Sequence, residues 1–122
     1  MKKKILVVDD DPSVRRFMRR ALQGAEYEII EAEDGNEVAR MLDEQRPDLV
    51  LLDMHMPRLD GIAALSEILD IAPTMPVIMV TGDGDMDRAK LAMERGARDY
   101  MTKPFDLQTL QTSVVALLAT AA

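Results

Sequence analysis

Cysteine is missing from this chain of 122 residues, and so is tryptophan. Without thiols there is no disulfide staple and no thiolate metal site, which suits a reducing compartment. Aromatic residues are scarce: Phe17, Phe105, Tyr27 and Tyr100 are the whole set. Aliphatic side chains and ten methionines must therefore fill the core. No apolar run approaches the ~20 residues of a membrane span. Lys2, Lys3 and Lys4 precede four apolar residues, as at the start of a signal peptide. Asp9, Asp10 and Asp11 end that run before it reaches the about 7–15 residues such a signal needs, so a cytoplasmic location is expected. Basic residues are outnumbered 15 to 22, for a net charge of −7. Direct nucleic acid binding needs a basic patch and is not expected; a cation site or a basic partner surface is. Repeats and linkers are absent, and only the alanine-rich end from Ala116 is biased in composition. The length suits a single domain over residues 1–122.

What the chain does have is a set of short apolar runs, several of them ending in acid. The most telling is Leu49 to Leu52, which stops at Asp53 and is followed by Pro57, Asp60 and Gly61. Such a run reads as a strand buried on both faces of a parallel sheet. It delivers a carboxylate to the strand's carboxyl end, the edge where open α/β sheets bind ligands.

The other elements alternate around it. A first strand covers Lys4 to Asp9, and Asp11 and Pro12 then cap and open a helix. That helix carries Val14, Phe17, Met18, Ala21 and Leu22 on one face and closes at Gly24. Tyr27 to Ala32 is a more polar strand, expected near an edge. Asp34 and Gly35 turn into a second helix with Val38, Met41 and Leu42, which ends before Pro47. A third helix carries Ile62, Leu65, Ile68 and Leu69. Pro76 to Val80 is a fourth strand, followed by Thr81, Gly82 and Gly84. A fourth helix runs from about Asp85 to Arg95, with Gly96 beyond its end. Asp99 to Thr102 is a fifth strand, and a last helix starts at Asp106. This is an α/β pattern: a doubly wound, five-stranded parallel sheet with five flanking helices, flavodoxin-like, in strand order 2-1-3-4-5.

In that order strands one and three are neighbours, so Asp9, Asp10 and Asp53 converge at one end of the sheet, with Thr81 beside them. Three carboxylates repel one another, and a hard divalent cation such as Mg²⁺ neutralises them naturally. Helix capping is the favoured reading for Asp11, and metal binding for Asp10 and Asp53. Alone, Thr81 would be a strand-end hydroxyl and Lys103 a solvated lysine. Beside the acids they supply the hydroxyl and cation that a phosphoryl group needs. His55, as a lone loop histidine, is expected to face solvent. No glycine-rich nucleotide fingerprint occurs.

The ordered set of Val7 to Asp10, Asp53 to Pro57 with Asp60 and Gly61, Val80 to Gly82, and Asp99 to Phe105 resembles the receiver domains of bacterial two-component response regulators, which share the CheY-like fold. The likeness spans essentially the whole chain. It implies that Asp53 is the phosphoacceptor, that Asp10 binds Mg²⁺ directly and Asp9 through water, and that the backbone carbonyl of His55 is a further ligand. It implies that Thr81 and Lys103 bind the phosphoryl oxygens, that Tyr100 is a switch aromatic alongside Thr81, and that the Lys103–Pro104 bond is cis. The implied partners are a sensor histidine kinase or phosphotransfer protein and a downstream effector protein or domain. No turnover of an exogenous substrate is implied.

Two rivals remain. A haloacid-dehalogenase-like phosphatase needs a second aspartate two residues after the nucleophile, where His55 stands here. A pseudo-receiver would lack phosphorylation residues that this chain has. Receivers that dimerise through helix four, strand five and helix five use an acid and an arginine on helix five; Thr109 and Ser113 occupy those positions. Residues 107–122 carry no charge. Leu107, Leu110, Val114, Leu117 and Leu118 form a core-facing stripe, with Val115, Ala116 and Ala119 off it. The expectation is a monomer when unphosphorylated, presenting that face to another protein or domain; an unremarkable helix end is the alternative for the alanines.

Overall fold

The fold is seen in a computed structural model, which describes residues 2–22, 26–54, 60–82 and 86–120. Five strands are present: β1 (Lys3–Val8), β2 (Tyr27–Ala32), β3 (Leu49–Asp53), β4 (Val77–Thr81) and β5 (Asp99–Thr102). They form one parallel sheet in the order β2-β1-β3-β4-β5. The helices are α1 (Pro12–Leu22), α2 (Val38–Gln45), α3 (Gly61–Ile71), α4 (Met86–Glu94) and α5 (Leu107–Thr120). Among the described residues no helix is long and apolar enough to cross a membrane.

Both faces of the sheet are covered, which is why its central strands are continuously apolar. The period of two sorts their side chains. Leu6, Val8, Val50, Leu52, Val77 and Met79 meet the helices of one face, through residues such as Leu42, Leu65, Ile68 and Ala92. Ile5, Val7, Leu49, Leu51, Ile78 and Val80 pack on the other against Met18, Leu22, Leu110 and Val114. The more polar β2 is an edge, as its sequence indicates.

Local signals account for most of the turns. Asp11 accepts the Ser13 N–H at 2.8 Å, and Pro12 opens α1. Asp60 accepts the Ile62 N–H at 3.0 Å at the start of α3. Gly96 follows α4 with φ +113°, a left-handed conformation suited to glycine.

Some expectations are corrected. β1 ends at Val8, so Asp9 lies just beyond it, while β4 extends to include Thr81. A 3₁₀ turn (Gly35–Glu37) capped by Asp34 precedes α2; that helix ends before Pro47, as expected, with Arg46 as its cap in the left-handed region (φ 49°). Phe17 is 40% exposed because its ring turns edge-on to Phe105, at 5.7 Å between centroids, instead of entering the core. Leu107 is 47% exposed: it sits in the first turn of α5, ahead of the point where Leu110 reaches the sheet. The expectations for Gly24, Pro57, Gly84 and Asp85 fall outside the described residues.

Candidate functional site

The carboxyl ends of β1 and β3 lie side by side, with Val8 opposite Leu52 in the register. The residues that follow are Asp9 and Asp53, and both are buried. Asp10 is exposed at the rim. One carboxylate oxygen from each of Asp9, Asp10 and Asp53 lies within 4.8 Å of the others. The structure thus brings together the three acids that the sequence pattern singles out.

Each neighbour has an identifiable hold on this cluster. Asp9 Oδ1 accepts the Asp11 N–H at 2.9 Å, and Oδ2 accepts Lys103 Nζ at 3.3 Å. The same ammonium lies 3.5 Å from Asp53 Oδ1. Lys103 is set in place by the ladder, since its own N–H donates to the Thr81 carbonyl at 2.7 Å. The Lys103–Pro104 bond is cis. Thr81 is fully buried, and its hydroxyl donates to the Met101 carbonyl on β5 at 3.5 Å. Tyr100 is half-buried against the core on the α3–α4 side. His55 lies outside the described residues.

The electrostatics follow from burial. Loss of water pushes the Asp9 carboxyl above its usual range; the Asp11 N–H and the Lys103 charge work against that rise, and Asp10 adds to it. For Lys103, burial disfavours the charge, but Asp53 and Asp9 outweigh it and hold the ammonium above its ordinary value. Among the described residues, one ammonium lies against the carboxylates of Asp9 and Asp53, with the Asp10 carboxylate nearby. That donor set, oxygen only and acidic, is what a hard divalent cation binds.

Sequence reasoning missed several supports. Arg15 donates from Nη1 to the Asp9 carbonyl at 2.7 Å while Glu31 holds its Nε at 3.0 Å. Only its place one turn into α1 hints at that role. Gly61, read as turn punctuation, is pressed on the backbone after Asp53. Its N–H donates to the Met54 carbonyl at 3.0 Å. A Cβ there would lie 2.6 Å from Met54 O and 2.9 Å from Asp53 O. An apolar cleft of about 350 Å³, lined by Val14, Phe17, Pro104 and Phe105, opens beside Lys103.

Known proteins similar to this chain include transcriptional regulators. A family model described as "Response regulator receiver domain" matches residues 5–115. The DNA-binding transcriptional regulator NtrC of Salmonella typhimurium is 45% identical over 103 residues, 84% of this chain and 22% of that protein. The alkaline phosphatase synthesis transcriptional regulatory protein PhoP of Bacillus subtilis is 39% identical over 119 residues, 97% of this chain and 49% of that protein. Among solved structures, NtrX from Brucella abortus in complex with ADP superposes with a TM-score of 0.94 at 35% identity, covering 99% of this chain and 28% of that one. The chain thus spans about a fifth to a half of the length of these relatives.

Proposed function

Because the chain belongs to the response regulator receiver domain family, we propose that residues 1–122 form a single receiver whose Asp53 accepts a phosphoryl group from a partner histidine kinase or phosphotransfer protein. Receivers are signalling domains, and the matched relatives are transcriptional regulators rather than turnover enzymes. On this reading Asp53 gains and loses its phosphoryl group without processing an exogenous substrate. The observation that carries the proposal is the placing of the Lys103 ammonium between Asp53 and Asp9, with the Asp10 carboxylate alongside.

The chemistry follows from charge and position. An Asp53 carboxylate oxygen attacks the phosphorus of the phosphohistidine in line; the new O–P bond forms as the P–N bond to the imidazole breaks. Lys103 stays protonated at neutral pH and neutralises the transferring oxygens. The oxygen-rich, acidic donor set fits Mg²⁺: Asp10 and Asp53 would hold it directly, Asp9 through water, and the His55 carbonyl would complete the set. Bound there, the ion supplies further neutralisation of phosphoryl charge.

The phosphoryl group on the product carries roughly −1.5 to −2 charge, in place of the single negative charge of the Asp53 carboxylate. Thr81, now bonded to the Met101 carbonyl, is then drawn to the new oxygens, and Tyr100 turns into the space released. A coupling of about 1–3 kcal/mol suffices to alter the α4–β5–α5 face that meets a downstream effector protein or domain. Ser113 on α5 bonds the Asp99 carboxylate within the same chain, and on this reading the unphosphorylated chain is a monomer.

Incubation with acetyl phosphate and Mg²⁺, read by intact mass, tests the reading. Wild type should gain one phosphoryl group and Asp53→Asn none. Full labelling of Asp53→Asn would overturn it.

A further inference from the structure

Two charged groups outside the carboxylate pocket meet where α3 and α4 begin. Asp60 caps α3, its Oδ1 accepting the Ile62 N–H at 3.0 Å. The same oxygen accepts a close ion pair from Arg88 Nη2, in the first turn of α4. Neither side chain is deeply buried, at 50% exposure for Asp60 and 36% for Arg88. Yet Arg88 Nε is sealed from solvent and has no hydrogen-bond partner among the described residues. An N–H left without an acceptor carries a free-energy cost, so Arg88 is held here by its pair with Asp60 and not by satisfied surroundings.

Both ends of the pair connect to the site. On the α3 side, Gly61 follows Asp60 and donates its N–H to the carbonyl of Met54, the residue after Asp53. On the α4 side, Arg88 belongs to the helix that follows Thr81 in the chain. Thr81 is here committed to the Met101 carbonyl. The pair therefore ties the start of α3, bonded back to Met54, to the start of α4. We propose that the Asp60–Arg88 ion pair is a latch that holds α4 in this arrangement and opposes the phosphorylated one. The proposal rests on the reading of Asp53 as phosphoacceptor.

A half-exposed pair is a weak latch, and its strength sets the expected effect. Breaking it should favour the phosphorylated arrangement by roughly 1.5- to 5-fold. Beryllofluoride, which mimics the phosphoryl group on Asp53, can be titrated with Mg²⁺ by calorimetry at low salt into wild type, Arg88→Gln, Asp60→Asn and the double variant. Asparagine keeps the helix cap while removing the charge. Each single variant should bind the mimic about 1.5- to 5-fold tighter than wild type, and the double variant no tighter than either. The advantage should close at high salt, where an exposed pair is screened. Either single variant suffices should the other fail to fold. Equal or weaker binding by the variants, or a gain that persists at high salt, would overturn the latch and leave the phosphoacceptor standing. Failure of wild type itself to bind the mimic would overturn the phosphoacceptor reading, and the latch with it.

Discussion

Replacing Gly61 by alanine gives a sharp test of how tightly the chain is drawn behind Asp53. At the first position of α3, alanine would ordinarily help, by up to about 1 kcal/mol of helix propensity. Here the added methyl would lie 2.6 Å from Met54 O, 2.7 Å from Met54 Cα and 2.9 Å from Asp53 O. All three are backbone atoms, so no side-chain rotation can make room, and the backbone at Asp53, Met54 or Gly61 must shift. Forcing one extra methyl into a packed site costs typically about 1–3 kcal/mol. The hydrogen bond from Gly61 N to Met54 O is also put at risk, at about 1 kcal/mol. With the propensity gain set against these, a net loss of about 1–3 kcal/mol is expected. For a chain of this length that lowers the melting midpoint by roughly 3–12 °C. Urea unfolding followed by far-UV circular dichroism should show a lower midpoint with unchanged slope. A Gly61→Ala variant as stable as wild type would show that the close approach to Met54 does not constrain the fold.

The pocket itself yields three further expectations. Asp9 is the clearest pH handle: its folded carboxyl lies above its ordinary value through burial, so its contribution is fully present below that value and lost as pH rises through the folded one. Metal-free protein should therefore lose stability from this group on going from acid toward neutral pH, and Asp9→Asn should flatten that loss in thermal melts; an unchanged profile would contradict it. Asp10→Ala should weaken Mg²⁺ binding by about tenfold or more and Asp9→Ala by less, as calorimetry would show, since hard cations follow directly bound carboxylates; negligible losses from both would remove the acidic-pocket account. Lys103→Met should leave stability within about 1 kcal/mol of wild type, or raise it, because the ammonium serves the anion site; its response to beryllofluoride should be blunted, and collapse of the fold would make Lys103 structural.

The sheet was legible because its physics is local. Apolar runs such as Leu49 to Leu52 are what two-sided burial demands, and the acids that end them mark the sheet's functional edge. The convergence of Asp9, Asp10 and Asp53 needed only the strand order. What the sequence concealed depends on contacts between segments far apart in the chain. Phe17 fits a helical apolar face by periodicity, and only the position of Phe105 shows why it turns outward. Leu107 fits the stripe of α5, but the first turn of that helix stands clear of the core. Arg46 ends α2 in a conformation usually left to glycine or asparagine, and no local signal announced it. The Asp60–Arg88 pair likewise joins two helix starts that no spacing rule connects.

The central claim is that Asp53, and no other of the 22 acidic residues, carries the phosphoryl group. Sodium borohydride reduces an aspartyl phosphate to homoserine, leaving a permanent mark at the residue that was modified. After treatment with acetyl phosphate and Mg²⁺, reduction and peptide mapping by mass spectrometry should find homoserine at position 53 alone, and none when the divalent metal is removed. Homoserine at Asp9 or Asp10 instead, or a phosphate that survives reduction on a hydroxyl, would contradict the account.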